Sequence, residues 1–159
     1  EEGLILFQNI EFNATICVLK EFIKRCRVDK KKEKSIIDYF MQKMKLKAAS
    51  YLQRVNSLSG GNQQKVVLGK WLATKPKMLI LDEPTRGIDV GAKAEIYEML
   101  DQLVHEGISV VMISSDMEEI INLSDRAYVM YDGRIMANLT GDEITQEKIM
   151  YFATGGTQA

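Results

Sequence analysis

Residues 78–114 constrain the fold more than any other stretch. An apolar run, MLIL (78–81), precedes an amphipathic segment, GAKAEIYEMLDQLVHE (91–106), which Gly107 closes before a second apolar run, ISVVMIS (108–114). Short apolar runs bounded by breakers predict strands, and the spacing of the middle segment predicts a helix. A strand, a crossover helix and a strand of this length form a right-handed unit whose strands are parallel. The chain is therefore expected to be α/β. In such sheets ligands gather beyond the carboxyl ends of the strands, and both Asp82 with Glu83 and Ser115 with Asp116 stand at such ends.

The first third predicts helices. Ile16, Leu19, Phe22, Ile23 and Cys26 recur at helical spacing over 15–27, and Ile36, Ile37, Phe40, Met41 and Met44 over 34–47, with DKKKEK (29–34) as a turn or helix start. A third helix is expected after Ser59-Gly60-Gly61, through Gln63, Val67, Trp71 and Leu72, ending before Pro76. Beyond the crossover, Asp116–Asn122 reads as a short helix and RAYVMYDGRIMANLT (126–140) as a hairpin turning at Asp132-Gly133. Thr145–Ala153 reads as a last helix. The expected division is a helical portion over 1–75, an α/β portion over 76–154 and a loose tail over 155–159.

Composition excludes more than it selects. With 46% hydrophobic and 27% charged residues the chain is expected to be one globular domain with a sizeable core, and a net charge of −1 gives no global attraction to nucleic acid. The basic stretch KEFIKRCRVDKKKEK (20–34) reads as a solvated helix face. Cys17 and Cys26, nine positions apart, fall on opposite sides of any helix holding both, so neither a disulfide nor a metal site is expected and a reducing compartment fits. The apolar runs are too short to span a bilayer, and a chain like this serves a membrane from the side. The abrupt start, EEGLILFQNI, suggests a fragment or a processed piece.

Two stretches carry chemistry. Adjacent acids at a buried strand tip require a cation, which suits a magnesium–nucleotide site: Asp82 would hold the ion through its water and Glu83 would polarise an attacking water. The plainer alternative is a cap by Asp82 with Glu83 exposed. In LSGGNQQK (58–65) two glycines at a helix start expose backbone N–H groups and the positive end of the helix dipole, and Ser59 adds a hydroxyl, a surface suited to phosphate. The alternative there is an ordinary turn with Ser59 as N-cap.

With Gly87-Ile88-Asp89 between strand and helix, these stretches together resemble the ATP-binding cassette family of ATPases. LSGGNQQK looks like the signature motif, LILDEP like Walker B with its catalytic glutamate, and Gly87-Ile88-Asp89 like the D-loop. The string LDEPTRGIDVGAK, with LSGGN where most relatives have LSGGQ, is similar to the second cassette of monosaccharide importers of the ribose, galactose and xylose type. The resemblance covers nearly all of the chain. It implies ATP hydrolysis that powers carbohydrate import, with ATP and Mg2+ bound, on the cytoplasmic, inner face of the cell membrane. The implied partners are a second cassette, the permease subunits and, indirectly, a sugar-binding protein, with no nucleic acid. The implied roles are Glu83 as catalytic residue, Asp82 toward the magnesium, Ser59, Gly60, Gly61, Asn62 and Asp89 toward nucleotide largely held by the partner cassette, and Ser115 at the switch position.

The chain departs from the family pattern in three places. No GxxxxGK[ST] occurs, and the Gly69-Lys70 pair lies inside the signature helix. The expected fold is therefore a partial P-loop NTPase cassette lacking the P-loop strand and helix, inactive alone, with an uncovered strand edge and apolar face that favour self-association. The sole histidine, His105, lies on the helix before the switch position, where Ser115 stands, and Ser115-x-x-Glu118 reads as a capping box. Asn62 is one methylene shorter than the usual glutamine. Two other readings stay open: a nucleic-acid-associated ATPase of the same superfamily, motivated by 20–34, and a non-enzymatic interaction module.

Overall fold

The computed structural model describes residues 3–24 and 27–157, so Cys26 lies outside the described residues. The chain divides into two units, 1–111 and 112–159.

In the first unit, Asn9 opens α1 (Ile10–Thr15) by accepting a hydrogen bond from the Phe12 N–H at 2.8 Å. The helix expected over 15–27 does not form as one piece. A 3-10 turn (Ile16–Val18) leads into the four-residue α2 (Leu19–Phe22), and the chain then enters a small antiparallel pair, β1 (Ile23–Lys24) with β2 (Arg27–Val28). The Asp29 N–H donates to the Phe22 carbonyl at 2.7 Å, closing this hairpin where a helix would have continued. Phe22 is fully buried, whereas Leu19 and Ile23, which share the helical spacing, stay exposed. The helix expected over 34–47 begins earlier, as α3 (Lys30–Lys43), because Asp29 caps it by accepting from the Lys32 N–H at 3.1 Å. It ends before Lys45, which adopts φ 46°.

The helix after Ser59 is α4 (Gly60–Leu72), whose buried stripe is Gly61, Lys65, Leu68, Gly69 and Leu72, with Trp71 exposed. Then come β3 (Met78–Asp82), α5 (Val90–His105) and β4 (Ser109–Ile113). The Ser109 N–H donates to the Lys77 carbonyl at 3.0 Å, so β3 and its neighbour β4 begin side by side and run parallel. One core cluster joins Phe22 and Phe40 from the helical portion to Leu68, Leu79, Leu81, Ile96 and Leu103. Each such side chain contributes about 2 kcal/mol through burial. A second cluster gathers Ile10, Ile37, Val55 and Val66. The portions expected to divide at 75/76 thus share one core.

The expectation of a buried strand needs correction. Leu79 and Leu81 are buried, but Met78 is 54% and Ile80 69% exposed, so β3 is covered on one face. A parallel strand buried on both faces needs helices on both sides, and the described helices of this unit cover the Leu79 and Leu81 side.

In the second unit, α6 (Met117–Leu123) precedes β5 (Arg126–Tyr131) and β6 (Arg134–Thr140), paired antiparallel with Tyr131 opposite Arg134. Asp132 (φ 47°) and Gly133 (φ 71°) form the two-residue turn expected of Asp-Gly in a hairpin. Thr145 caps α7 (Gln146–Ala153), and Phe152 packs with Ala127, Val129, Ala137 and Leu139. Residues 154–157 fold back on α7: the Gly156 N–H bonds the Tyr151 carbonyl at 2.9 Å and the Tyr151 hydroxyl bonds the Thr157 carbonyl at 3.1 Å. Among the described residues no helix is long and apolar enough to cross a membrane.

Candidate functional site

The start of α4 is unusual in its capping. Ser59 occupies the N-cap position with extended backbone (φ −62°, ψ 156°), yet its side chain makes no capping bond. Ser59 thus takes the expected N-cap position without supplying the side-chain bond of an ordinary cap. Its Oγ instead accepts from Asn62 Nδ2 at 2.9 Å, while Asn62 Oδ1 accepts from the Lys47 N–H at 3.2 Å. Because a backbone N–H must meet oxygen, the Lys47 bond fixes which way the Asn62 amide points. First-turn N–H groups of a helix lack intrahelical partners and carry the positive end of its dipole. Here they open beside exposed Ser59 and Gly60.

Two glycines make this start possible. A Cβ on Gly61 would lie 2.5 Å from the Ala92 Cβ, closer than side chains tolerate, and one on Gly60 would lie 3.4 Å from Ile88 Cγ2 and 3.8 Å from the Gly87 carbonyl oxygen. The glycine pair therefore packs directly on the turn that follows β3 and on the first residues of α5.

That turn carries the acids. Asp82 ends β3 exposed, and Glu83, half-buried, takes φ 47°, a left-handed conformation rare for a residue with a side chain. Such strain concentrates at functional turns. The Arg86 N–H returns to the Glu83 carbonyl at 3.2 Å, Thr85 is buried, and Gly87 (φ 76°) turns the chain toward Asp89. Asp89 caps α5 by accepting from the Ala92 N–H at 2.9 Å. Asp82 therefore caps no helix here. Among the described residues no cluster of three or more His, Cys, Asp or Glu side chains is poised around a metal. Magnesium is commonly held by one or two carboxylates together with waters and substrate phosphates, and the exposed Asp82 at a strand end fits that donor set.

A buried charge lies one turn further along α4. The Lys65 side chain is only 3% exposed and its ammonium pairs with Glu95 Oε2 from α5, also reaching the Lys45 carbonyl at 3.4 Å. Lys47 Nζ meets the other Glu95 oxygen at 3.1 Å. Hydrogen bonds from Lys65 and then Lys47 hold the Glu95 carboxyl well below the usual range, at about 2. Sequence reading passed over all three residues. The available signal was a lysine on the apolar stripe of α4, four positions after Gly61 and four before Gly69.

Ser115, by contrast, belongs to the second unit and is exposed. The N-cap of α6 is Asp116 and not the expected Ser115: Asp116 accepts from the Glu118 N–H at 3.0 Å. The neighbouring Ser114 hydroxyl accepts from the Asp116 N–H at 2.9 Å and donates to Glu119, itself buried. Asp and Ser cap about equally well, and because α6 starts at Met117 the cap position falls on Asp116 rather than on Ser115. The structure thus brings Gly60 against Gly87 and Ile88 and Gly61 against Ala92, with Ser59 and Asn62 bonded to each other beside them, Asp82 and Glu83 at the head of the turn, and Ser115 in a different unit.

A family profile described as "ABC transporter" matches residues 2–86. A ribose import ATP-binding protein, RbsA, of Clostridium perfringens is 49% identical over 98% of this chain and 31% of its own length. The chain thus spans about a third of the length of the curated relatives it matches. A nucleotide-free ATP-binding cassette from an ABC transporter superposes with a TM-score of 0.76 at 24% identity, over 92% of this chain and 60% of that one. A dimeric cassette in a post-hydrolysis state bound to ADP and Pi gives 0.74 at 22%, over 87% and 59%.

Proposed function

Given that this chain belongs to the ABC transporter family, we propose that it is part of the ATP-binding subunit of a monosaccharide importer of the ribose type and supplies the signature half of a composite ATP site. The single observation that carries this reading is the start of α4: a glycine pair packed on Ile88 and on Ala92 of α5, with first-turn N–H groups that the Ser59 side chain leaves uncapped. In a head-to-tail pair of cassettes, Ser59, Gly60 and Gly61 close over the γ-phosphate of ATP whose other phosphates sit in the partner cassette's P-loop. Backbone donors and a helix dipole aimed at a phosphate act in the closed, water-poor site without rearranging. The similarity to a ribose import protein and to a dimeric cassette supports the transport role and the paired assembly.

The acids serve the chain's own site in this reading. Asp82 would hold a magnesium water, the ion neutralising phosphate charge, and Glu83 would orient and polarise the attacking water. Asp89 would face the nucleotide across the pair. Ser115 stands where the family carries histidine and brings no imidazole to accept a proton, so hydrolysis at this site is slow. The partners are a second cassette and permease subunits, with a sugar-binding protein acting through the permease, and the chain sits on the cytoplasmic face of the membrane.

Equilibrium titration with a fluorescent MgATP analogue tests the reading, with this chain alone and after addition of a partner cassette that carries its own P-loop. The expected result is nucleotide affinity raised at least tenfold in the mixture over the partner alone, and the rise lost in Gly60→Asp. Tight binding by the chain alone, or a rise that survives Gly60→Asp, overturns it.

A further inference from the structure

We infer that Lys65 and Glu95 are positioning residues for the signature serine, acting through Lys47 and Asn62 to set the direction of the Ser59 hydroxyl from helix α5. This inference rests on the signature reading above and names residues that reading does not use.

The connection can be followed atom by atom. The Lys65 ammonium pairs with one oxygen of Glu95, and the Lys47 ammonium meets the other at 3.1 Å. Lys65 also donates to the Lys45 carbonyl at 3.4 Å, so the segment 45–47 is gripped from both sides. Lys45 lies there at φ 46°, a conformation that does not persist unless its surroundings hold it. The held segment presents the Lys47 N–H to Asn62 Oδ1 at 3.2 Å, and the Asn62 Nδ2 then donates to Ser59 Oγ at 2.9 Å. With one of its two lone pairs taken by Asn62, the Ser59 hydroxyl is turned so that its proton is left to donate elsewhere, and it lies exposed at the helix start.

Burial explains why the grip is stiff. A lysine that is 3% exposed must keep its counter-charge, so Glu95 stays tied to Lys65 while its own side chain, 38% exposed, reaches out to Lys47. The same helix α5 begins at the Asp89 cap and touches Gly61 through Ala92. Helix α5 is thereby joined to the signature start by two routes, one of packing and one of charge.

The test uses the full-length ATP-binding subunit assembled with its permease. Apparent KM for MgATP and Vmax are measured for Glu95→Gln, Lys65→Met, Ser59→Ala and the double variant Ser59→Ala/Glu95→Gln. Loss of folded protein lowers Vmax and leaves KM unmoved, so KM reports positioning. The expected result is a KM raised at least fivefold in Glu95→Gln and Lys65→Met, with no further rise when Glu95→Gln is added to Ser59→Ala. A KM within twofold of wild type in both single variants, or additive rises in the double variant, overturns the inference while leaving the signature reading intact. A Ser59→Ala variant with unchanged KM overturns both.

Discussion

Helices α4 and α5 begin against each other, Gly61 on Ala92, and their starts are finished in opposite ways. Asp89 closes α5 with its own carboxylate, which takes the Ala92 N–H and brings negative charge to the positive end of the dipole. Ser59 leaves α4 open, since its hydroxyl is turned away to Asn62. Asn9, Asp29, Asp116 and Thr145 close α1, α3, α6 and α7 as Asp89 closes α5. A residue type that favours capping is thus not enough. Whether a serine caps depends on what else competes for its oxygen, and at α4 the competitor is itself held by a segment fifteen residues upstream.

The contrast can be broken most severely at the contact itself. Gly61→Val drives a branched side chain into Ala92 and is expected to destabilise the chain by about 3 kcal/mol, read as a fall in the urea midpoint. Gly60→Ala, whose new methyl would lie 3.4 Å from Ile88 Cγ2 and 3.8 Å from the Gly87 carbonyl oxygen, should stay within about 0.5 kcal/mol of wild type. Next in size is Glu95→Ala, which leaves buried Lys65 without its carboxylate. Breaking a fully buried pair costs more, but the 38% exposure of Glu95 lets water in, so about 2 kcal/mol is expected from the same measurement.

The caps sharpen the comparison at a smaller scale. Asp89→Ala should cost about 1 kcal/mol, whereas Ser59→Ala, which removes no capping bond, should cost less than about 0.5 kcal/mol of stability. Acid supplies the smallest test. The folded Glu95 value of about 2 lies below the roughly 4.3 of an unfolded glutamate. Its stabilisation is therefore complete above about pH 4.3 and is lost as pH falls toward 2. Wild type and Glu95→Gln should differ in urea midpoint at pH 6 and converge near pH 2.

The parts legible in the sequence are those whose determinants lie close together along the chain. Asp132-Gly133 specified the hairpin turn, the spacing over 78–114 specified strand, helix and strand, and the LSGG and DEP strings specified the family. The region 15–27 was misread because its apolar residues recur at helical spacing, while pairing of Ile23 with Val28 and burial of Phe22 outweighed that pattern. At α6 the choice between Ser115 and Asp116 as cap turned on one residue of helix start, which periodicity does not resolve.

By itself, then, the sequence determined the order and type of most elements, the glycine pair at the start of α4, and the acids at the end of β3, since turn preference and periodicity operate within a few residues. Only the tertiary structure decided that Gly61 must remain glycine, that Ser59 faces Asn62, and that a lysine on an apolar stripe finds its carboxylate thirty residues away on α5. Those decisions depend on which helices meet and at what distance. No pattern along one helix carries the position of its neighbour.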